Sequence, residues 1–85
     1  MNTIEFKYII FGNAFPVLFS PAFAHSDFLG CGTIGEITSA GFAFLTAENG
    51  SIHVNCYGES FSLKKVSGGA EDAACIERMF QKSNL

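Results

Sequence analysis

The sequence predicts an α+β fold: a four-stranded antiparallel sheet built from two hairpins, with two helices on one face. Three observations predict this class and the element order β-β-α-β-β-α. Apolar and polar residues alternate on both sides of Gly12-Asn13, and again on both sides of Asn49-Gly50, which is the pattern of two β-hairpins. From Ala70 onward the apolar residues follow the period of a helix.

The first hairpin is predicted from two alternating runs joined by a turn. In the first run, apolar residues at positions 4, 6, 8 and 10 alternate with Glu5 and Lys7. Gly12-Asn13 is a two-residue turn signal, and apolar residues at 15, 17 and 19 continue the alternation beyond it. Pro16 has no N–H to donate, so the second strand is expected at an edge of the sheet.

The same N-terminal residues also resemble a signal peptide. Ala22-Phe23-Ala24 has the small-x-small form of a cleavage site. Against that interpretation, Glu5 offsets the charge of Lys7, and Gly12-Asn13 and Pro16 interrupt the apolar region. We therefore expect a retained hairpin and a cytoplasmic protein, with secretion as the alternative if residues 1–24 are removed.

A short helix is predicted over residues 21–29. Ser20 is a favourable N-cap and Pro21 a favourable first helical residue, and the glycines around Cys31 would end the helix. The second hairpin follows, with strands over residues 33–47 and 51–57 and the turn at Asn49-Gly50. Gly41 within the first of these strands indicates a bulge or a close backbone approach.

The C-terminal part is predicted to be a loop followed by a helix. Phe61 and Leu63 suggest a short extended segment, and residues 64–69 are polar and glycine-rich. From Ala70, an apolar stripe recurs at helical spacing, with Glu71 and Asp72 in the first turn, where acidic side chains stabilise the helix dipole. Residues 83–85 are expected to fray, and residues 1–85 form one domain. The sheet face without helices should carry Glu5, Lys7, His53, Asn55 and Tyr57.

Composition favours a binding protein over a nucleic-acid or membrane protein. The chain has 85 residues, ten of them Phe, and only 15% are charged, against about 25% in a typical soluble domain. This leaves more apolar surface than so short a chain can bury, which favours self-association or a partner. The net charge is −3 with five basic residues, too few to follow a phosphate backbone or an anionic membrane.

No arrangement of reactive residues in the sequence predicts catalysis, a cofactor or a metal. The three cysteines are an odd number, and Cys31 is the one expected to be exposed. His25, Cys31, His53 and Cys56 are suitable zinc ligands, but His53 and Cys56 lie three apart on a strand and should point to opposite faces. Residues 30–35 match G-x-G-x-x-G, but a helix is predicted before them and a strand after, the reverse of the dinucleotide-binding order.

Three segments resemble a pattern found in short uncharacterised bacterial and phage-type proteins: SAGF at 39–42, CYGESFSL at 56–63 and EDAACIER at 71–78. The resemblance covers roughly the C-terminal two-thirds of the chain and carries no assigned site. It implies a small accessory protein of mobile elements, a class that includes anti-CRISPR and other inhibitors. Such proteins commonly block a larger host protein by binding to it.

The sequence therefore predicts a non-enzymatic protein that occupies the surface of a host protein. Its expected interaction residues are Glu36, Glu48, Glu59, His53 and Tyr57, the glutamates being suited to a basic, nucleic-acid-binding groove. One alternative is a structural homodimer paired through an edge strand or the uncovered sheet face. Another is a small thiol or zinc protein that uses Cys31 or the His/Cys set.

Overall fold

The computed structural model describes residues 2–25 and 36–83. In this part of the chain it contains six strands and one α-helix. The strands are β1 (Asn2–Phe11), β2 (Phe15–Phe19), β3 (Ile37–Glu48), β4 (Ser51–Tyr57), β5 (Glu59–Ser60) and β6 (Lys65–Val66), and the helix is α1 (Ala70–Ser83).

The main sheet is four-stranded and antiparallel, with the strand order β2-β1-β3-β4. The predicted α+β class and the four-stranded antiparallel sheet are therefore confirmed. Pro16 lies in the edge strand β2, as its missing N–H requires, and is paired with Ile10 of β1. β5 and β6 form a separate two-stranded ribbon.

Both turns of the main sheet use left-handed backbone. Asn49 and Gly50 have φ of 51° and 80° and join Glu48 directly to its partner Ser51, which is the predicted two-residue turn. Gly12 and Asn13 have φ of 57° and 59°, but the next residue, Ala14, is left out of the β1–β2 pairing. The first turn is therefore one residue longer than predicted.

Within the described residues there is one α-helix and not the predicted two, because the described part of the helix predicted over residues 21–29 is not α-helical. Residues 21–23 form a turn and a bend, residue 25 has 3₁₀-helical backbone, and residues 26–29 lie outside the described part. The Ser20 hydroxyl accepts a hydrogen bond from the Ala22 N–H at 3.2 Å, and the Ser20 carbonyl accepts one from the Phe23 N–H at 3.1 Å. Ser20 thus closes a local turn, an alternative to helix capping that serine side chains readily adopt.

The segment around Phe61 also differs from its prediction. The predicted extended segment at Phe61 and Leu63 is a turn that joins β5 to β6. The Lys64 N–H donates to the Phe61 carbonyl at 3.3 Å, and Lys64 itself is left-handed, with φ of 56°. A positive φ is uncommon for residues other than glycine, and nothing in the sequence around Lys64 predicts it.

Helix α1 covers one face of the main sheet, and a buried polar cluster fixes its first turn. The Tyr8 hydroxyl donates to the Asp72 carboxylate at 2.5 Å and lies 2.6 Å from the Ser67 hydroxyl, from which it can accept a hydrogen bond. The Gly68 N–H donates to the same carboxylate at 2.7 Å. Asp72, predicted as a dipole charge, is therefore a buried acceptor that joins the loop, the helix and β1.

Gly41 supports this cluster because it has no side chain. A Cβ at position 41 would lie 2.7 Å from the Tyr57 carbonyl oxygen and 3.1 Å from the Ser67 Cβ. The predicted close backbone approach at Gly41 is confirmed. It allows Ser67 to reach the Tyr8 hydroxyl.

The apolar core lies on both sides of the sheet. Beneath α1 it contains seven buried residues: Tyr8, Ile10, Ala43, Leu45, Cys56, Cys75 and Ile76. On the opposite side a smaller cluster fills the β2 half of the sheet, with Ile9, Phe11, Phe19 and Ala40. The β4 half of that opposite side is where polar and aromatic side chains reach the surface.

Candidate interaction surface

Three aromatic rings form a continuous row on the sheet face opposite α1. Tyr57 stacks between the other two: its ring centroid is 5.6 Å from that of Phe42 and 5.2 Å from that of Phe44, with interplanar angles of 24° and 17°. Phe44 is 37% exposed and Tyr57 is 38% exposed. We call the surface formed by Glu5, Lys7, Phe42, Phe44, His53, Asn55 and Tyr57 the open face.

Strand alternation and register create this row. Phe42 and Phe44 lie on one side of β3, while Ala43 and Leu45 between and after them point into the core under α1. The register sets Tyr57 opposite Phe42 and Asn55 opposite Phe44. Cross-strand aromatic pairs of this kind stabilise a sheet while leaving ring surface in water.

Glu5 anchors the outer end of the tyrosine. The Tyr57 hydroxyl donates a short hydrogen bond to the Glu5 carboxylate, reaching from β4 across β3 to β1. This hydrogen bond raises the pKa of Tyr57 above its ordinary value, because the phenolate could no longer donate to the carboxylate. The bond restrains the central ring of the row and so preorganises the open face.

Lys7 and His25 close the other end of the row. The Lys7 ammonium donates to the Phe23 carbonyl at 2.7 Å and lies 5.8 Å from the Phe42 ring centroid. The His25 ring meets Phe42 edge-on with a centroid distance of 5.9 Å, and its Nε2 lies 2.9 Å from the Gly41 carbonyl oxygen. Burial lowers the pKa of His25, so its imidazole is neutral at pH 7 and Nε2–H donates to that carbonyl.

A shallow cavity of about 220 Å³ continues the open face beyond Phe42. Its described lining includes the Lys7, His25 and Phe42 side chains, together with Glu59 and the highly exposed Phe61 from the β5–β6 ribbon. The ribbon therefore extends the aromatic row with one more ring and one carboxylate. A partner's side chain inserted here would meet apolar rings and both signs of charge.

The structure brings only some of the predicted interaction residues together. His53 and Tyr57 are exposed on the open face, and Glu59 lines the adjoining cavity. Glu48 ends β3 at the Asn49-Gly50 turn, while Glu36 precedes β3 at its other end, where its carbonyl accepts from the Gly12 N–H at 2.7 Å. Eleven residues of β3 lie between these two glutamates, so they do not belong to one compact patch.

The sequence-based list of interaction residues did not include Phe42, Phe44 or Glu5. The sequence contains a pattern that could have identified the two phenylalanines, because strict alternation along β3 places both of them on the face opposite Ala43 and Leu45. Their apolar character instead favoured core packing. Glu5 was predicted on the uncovered face, but its hydrogen bond to Tyr57 joins residues that are 52 positions apart in sequence.

The described residues also bear on the metal and thiol alternatives. No three His, Cys, Asp or Glu side chains within residues 2–25 and 36–83 lie close enough to hold a metal ion. His53 is exposed and Cys56 buried, on opposite faces of β4 as predicted, and burial raises the pKa of the Cys56 thiol to about 11. Cys31 lies outside the described residues.

Comparison of the chain with protein-family models, with curated proteins and with solved structures finds no match. Within the described residues, no helix has both the length and the apolar character needed to cross a membrane.

Proposed function

We propose that this protein is a non-enzymatic binding module whose open face docks on a protein partner. The observation that supports this proposal most directly is the row of three stacked rings on a sheet face that α1 leaves uncovered. Two of the three rings belong to residues that are more than one-third exposed. Aromatic side chains are enriched at the centres of protein interfaces, because they bury a large area and lose little conformational entropy.

The charges around the rings favour a basic partner. Glu5 lies within the open face, Glu59 lines the adjoining cavity and Glu48 ends β3 on the same side of the strand as Phe44. Lys7 is the one lysine or arginine among the residues of the open face, and its ammonium is already bonded to the Phe23 carbonyl. A partner rich in Lys and Arg would be attracted to this surface and oriented by it.

As its most concrete form, we propose an inhibitor of the mobile-element type, acting in the bacterial cytoplasm by occupying a host protein. Support comes from the sequence resemblance over 39–42, 56–63 and 71–78, and from an aromatic face bordered by Glu48 and Glu59, which suits a basic, nucleic-acid-binding groove. The partner's groove would exchange its phosphate contacts for the carboxylates of Glu5 and Glu59.

The test is capture of partners by matched variants. The wild-type protein, Phe44→Ala and Ile4→Ala are immobilised and incubated with lysate of the native host, and retained proteins are quantified by mass spectrometry. Ile4 is the control, because it is an apolar residue, 57% exposed, whose side chain points to the sheet face that carries α1. Loss of a central aromatic contact costs about 2 kcal/mol of binding, or roughly 30-fold in affinity.

We expect a defined set of proteins retained by the wild type and Ile4→Ala, lost with Phe44→Ala and released by raised salt. Equal retention by all three would rule out the open face as the docking site. Sedimentation of the same three proteins distinguishes the homodimer. A wild-type dimer that becomes a monomer in Phe44→Ala would replace the host partner with a second copy of the chain.

A further inference from the structure

A groove lies between β2 and α1, on the side of the molecule away from the open face. Its volume is about 340 Å³, which is within the range of small-ligand sites. The described residues that line it are Ala14, Phe15, Pro16, Val17, Cys75, Arg78 and Met79. Nearly all of these present carbon or sulfur, so the walls suit an alkyl chain.

On the other side of α1 from this groove, the helix is hydrogen-bonded to the opposite edge of the sheet. The Glu77 carboxylate accepts a hydrogen bond from the Val54 N–H of β4 at 3.0 Å. β4 and β2 are the two edge strands of the main sheet, so this bond connects α1 to the edge opposite β2. Phe15 in β2, at this edge of the sheet, is a large apolar residue that is 50% exposed.

One positive charge distinguishes this groove from a plain apolar recess. Among its described lining residues, Arg78 alone carries a charge, and it is exposed to solvent. Cys75 and Arg78 lie three residues apart on α1 and so share a helix face, which places the arginine beside the groove floor. A second cavity, of about 310 Å³, shares these two residues and holds Glu71 and Asp72 beyond them.

The chemistry of the lining therefore fits an amphiphile with an apolar body and one anionic end. We propose that the groove binds a medium-chain aliphatic carboxylate, with the chain between β2 and α1 and the carboxylate on Arg78. At about 30 Å³ for each small group, the groove holds on the order of ten non-hydrogen atoms. Arginine suits the head group because its planar guanidinium binds a carboxylate through two parallel hydrogen bonds.

The test is a titration of the ¹⁵N-labelled protein with octanoate and with 1-octanol, which has the same chain length without the charge. We expect octanoate to shift the amide resonances of Val17, Cys75 and Met79, and to bind about tenfold more tightly than 1-octanol. Arg78→Gln should remove this preference. Lys64→Gln is the matched control, because it removes one charge from an exposed residue that does not line the groove.

Three results would overturn the proposal. One is equal affinity for octanoate and 1-octanol in the wild type. Another is an octanoate preference that survives Arg78→Gln or is lost equally in Lys64→Gln. The third is shifts confined to the open face, around Phe44 and Tyr57, which would place the ligand on the aromatic row instead.

Discussion

The two faces of the main sheet each carry a tyrosine that donates to a carboxylate, in very different surroundings. Under α1, Tyr8 donates to Asp72, and the tyrosine is 0% exposed. On the open face, Tyr57 donates to Glu5, and the tyrosine is 38% exposed. The same chemical pair therefore occurs once without access to water and once in contact with it.

This difference separates a structural role from a functional one. If the buried hydrogen bond is removed, the Asp72 carboxylate loses a donor that water cannot replace, and the free energy of unfolding decreases. If the exposed hydrogen bond is removed, water takes its place, and the main effect is that the Tyr57 ring in the aromatic row is held less firmly. The sheet face under α1, which we call the closed face, should therefore govern stability, and the open face should govern binding.

The largest effect expected from this comparison is on the free energy of unfolding. Tyr8→Phe should lower it by about 2–3 kcal/mol, because Asp72 keeps only the Gly68 N–H and remains buried. Tyr57→Phe removes the same atom from an exposed pair and should cost less than about 0.5 kcal/mol. Urea denaturation of the two variants beside the wild type measures both values, and similar losses in the two would refute the distinction between the faces.

The next effect concerns the backbone beneath the buried pair. Gly41→Ala should lower the free energy of unfolding by about 1–3 kcal/mol, because the added Cβ overlaps the Tyr57 carbonyl and crowds Ser67. Part of that cost should come from displacing the Ser67 hydroxyl from Tyr8. In Gly41→Ala combined with Tyr8→Phe, the total loss should therefore be smaller than the sum of the single losses, and strict additivity would contradict this coupling.

Much of the closed face could be predicted from the sequence. Alternation assigned the strand residues to their faces, Asn49-Gly50 marked the second turn, and helical spacing gave α1. These are local signals, because a strand or helix imposes its period on neighbouring residues. The edge position of Pro16 followed from the same kind of reasoning, since an absent N–H restricts where the residue can pair.

The features that could not be predicted from the sequence depend on contacts between residues far apart in the chain. By local propensity, Ser20 and Pro21 are suited to begin a helix. The chain after them instead turns toward His25, whose ring lies within hydrogen-bond distance of the Gly41 carbonyl. Asp72 has the position of a helix-dipole charge, but its main partner is Tyr8, 64 residues away. The open face was foreseen as a polar surface, and its aromatic row required the pairing of β3 with β4.

Alkaline pH should destabilise the protein through the buried tyrosine. Burial, and next the hydrogen bond to Asp72, raise the pKa of Tyr8, so the folded state keeps the phenol proton where the unfolded state loses it. This stability is complete below about pH 10, the unfolded value, and about 1.4 kcal/mol of it is lost by pH 11. Urea midpoints at pH 9 and pH 11 measure the loss.

The control for this pH effect is Tyr8→Phe. Cys56 is also buried, and its pKa of about 11 contributes to alkaline destabilisation with the same sign in both proteins. The wild type should therefore lose more stability than Tyr8→Phe between the two pH values. Equal losses would show that Tyr8 ionises in the folded state as easily as in the unfolded one.

The smallest effect is a titration shift on the open face, and it tests whether the Glu5–Tyr57 bond forms in solution. The chain has two tyrosines, and Tyr8 stays protonated while folded, so the phenolate absorbance that appears first belongs to Tyr57. Its midpoint should lie above the ordinary value of about 10 and should return toward it in Glu5→Gln. Tyr57→Phe should abolish the transition, which assigns it. A midpoint unchanged by Glu5→Gln would mean that the central ring is not anchored to β1, and the open face would then lose the preorganisation that sets it apart from an ordinary exposed strand surface.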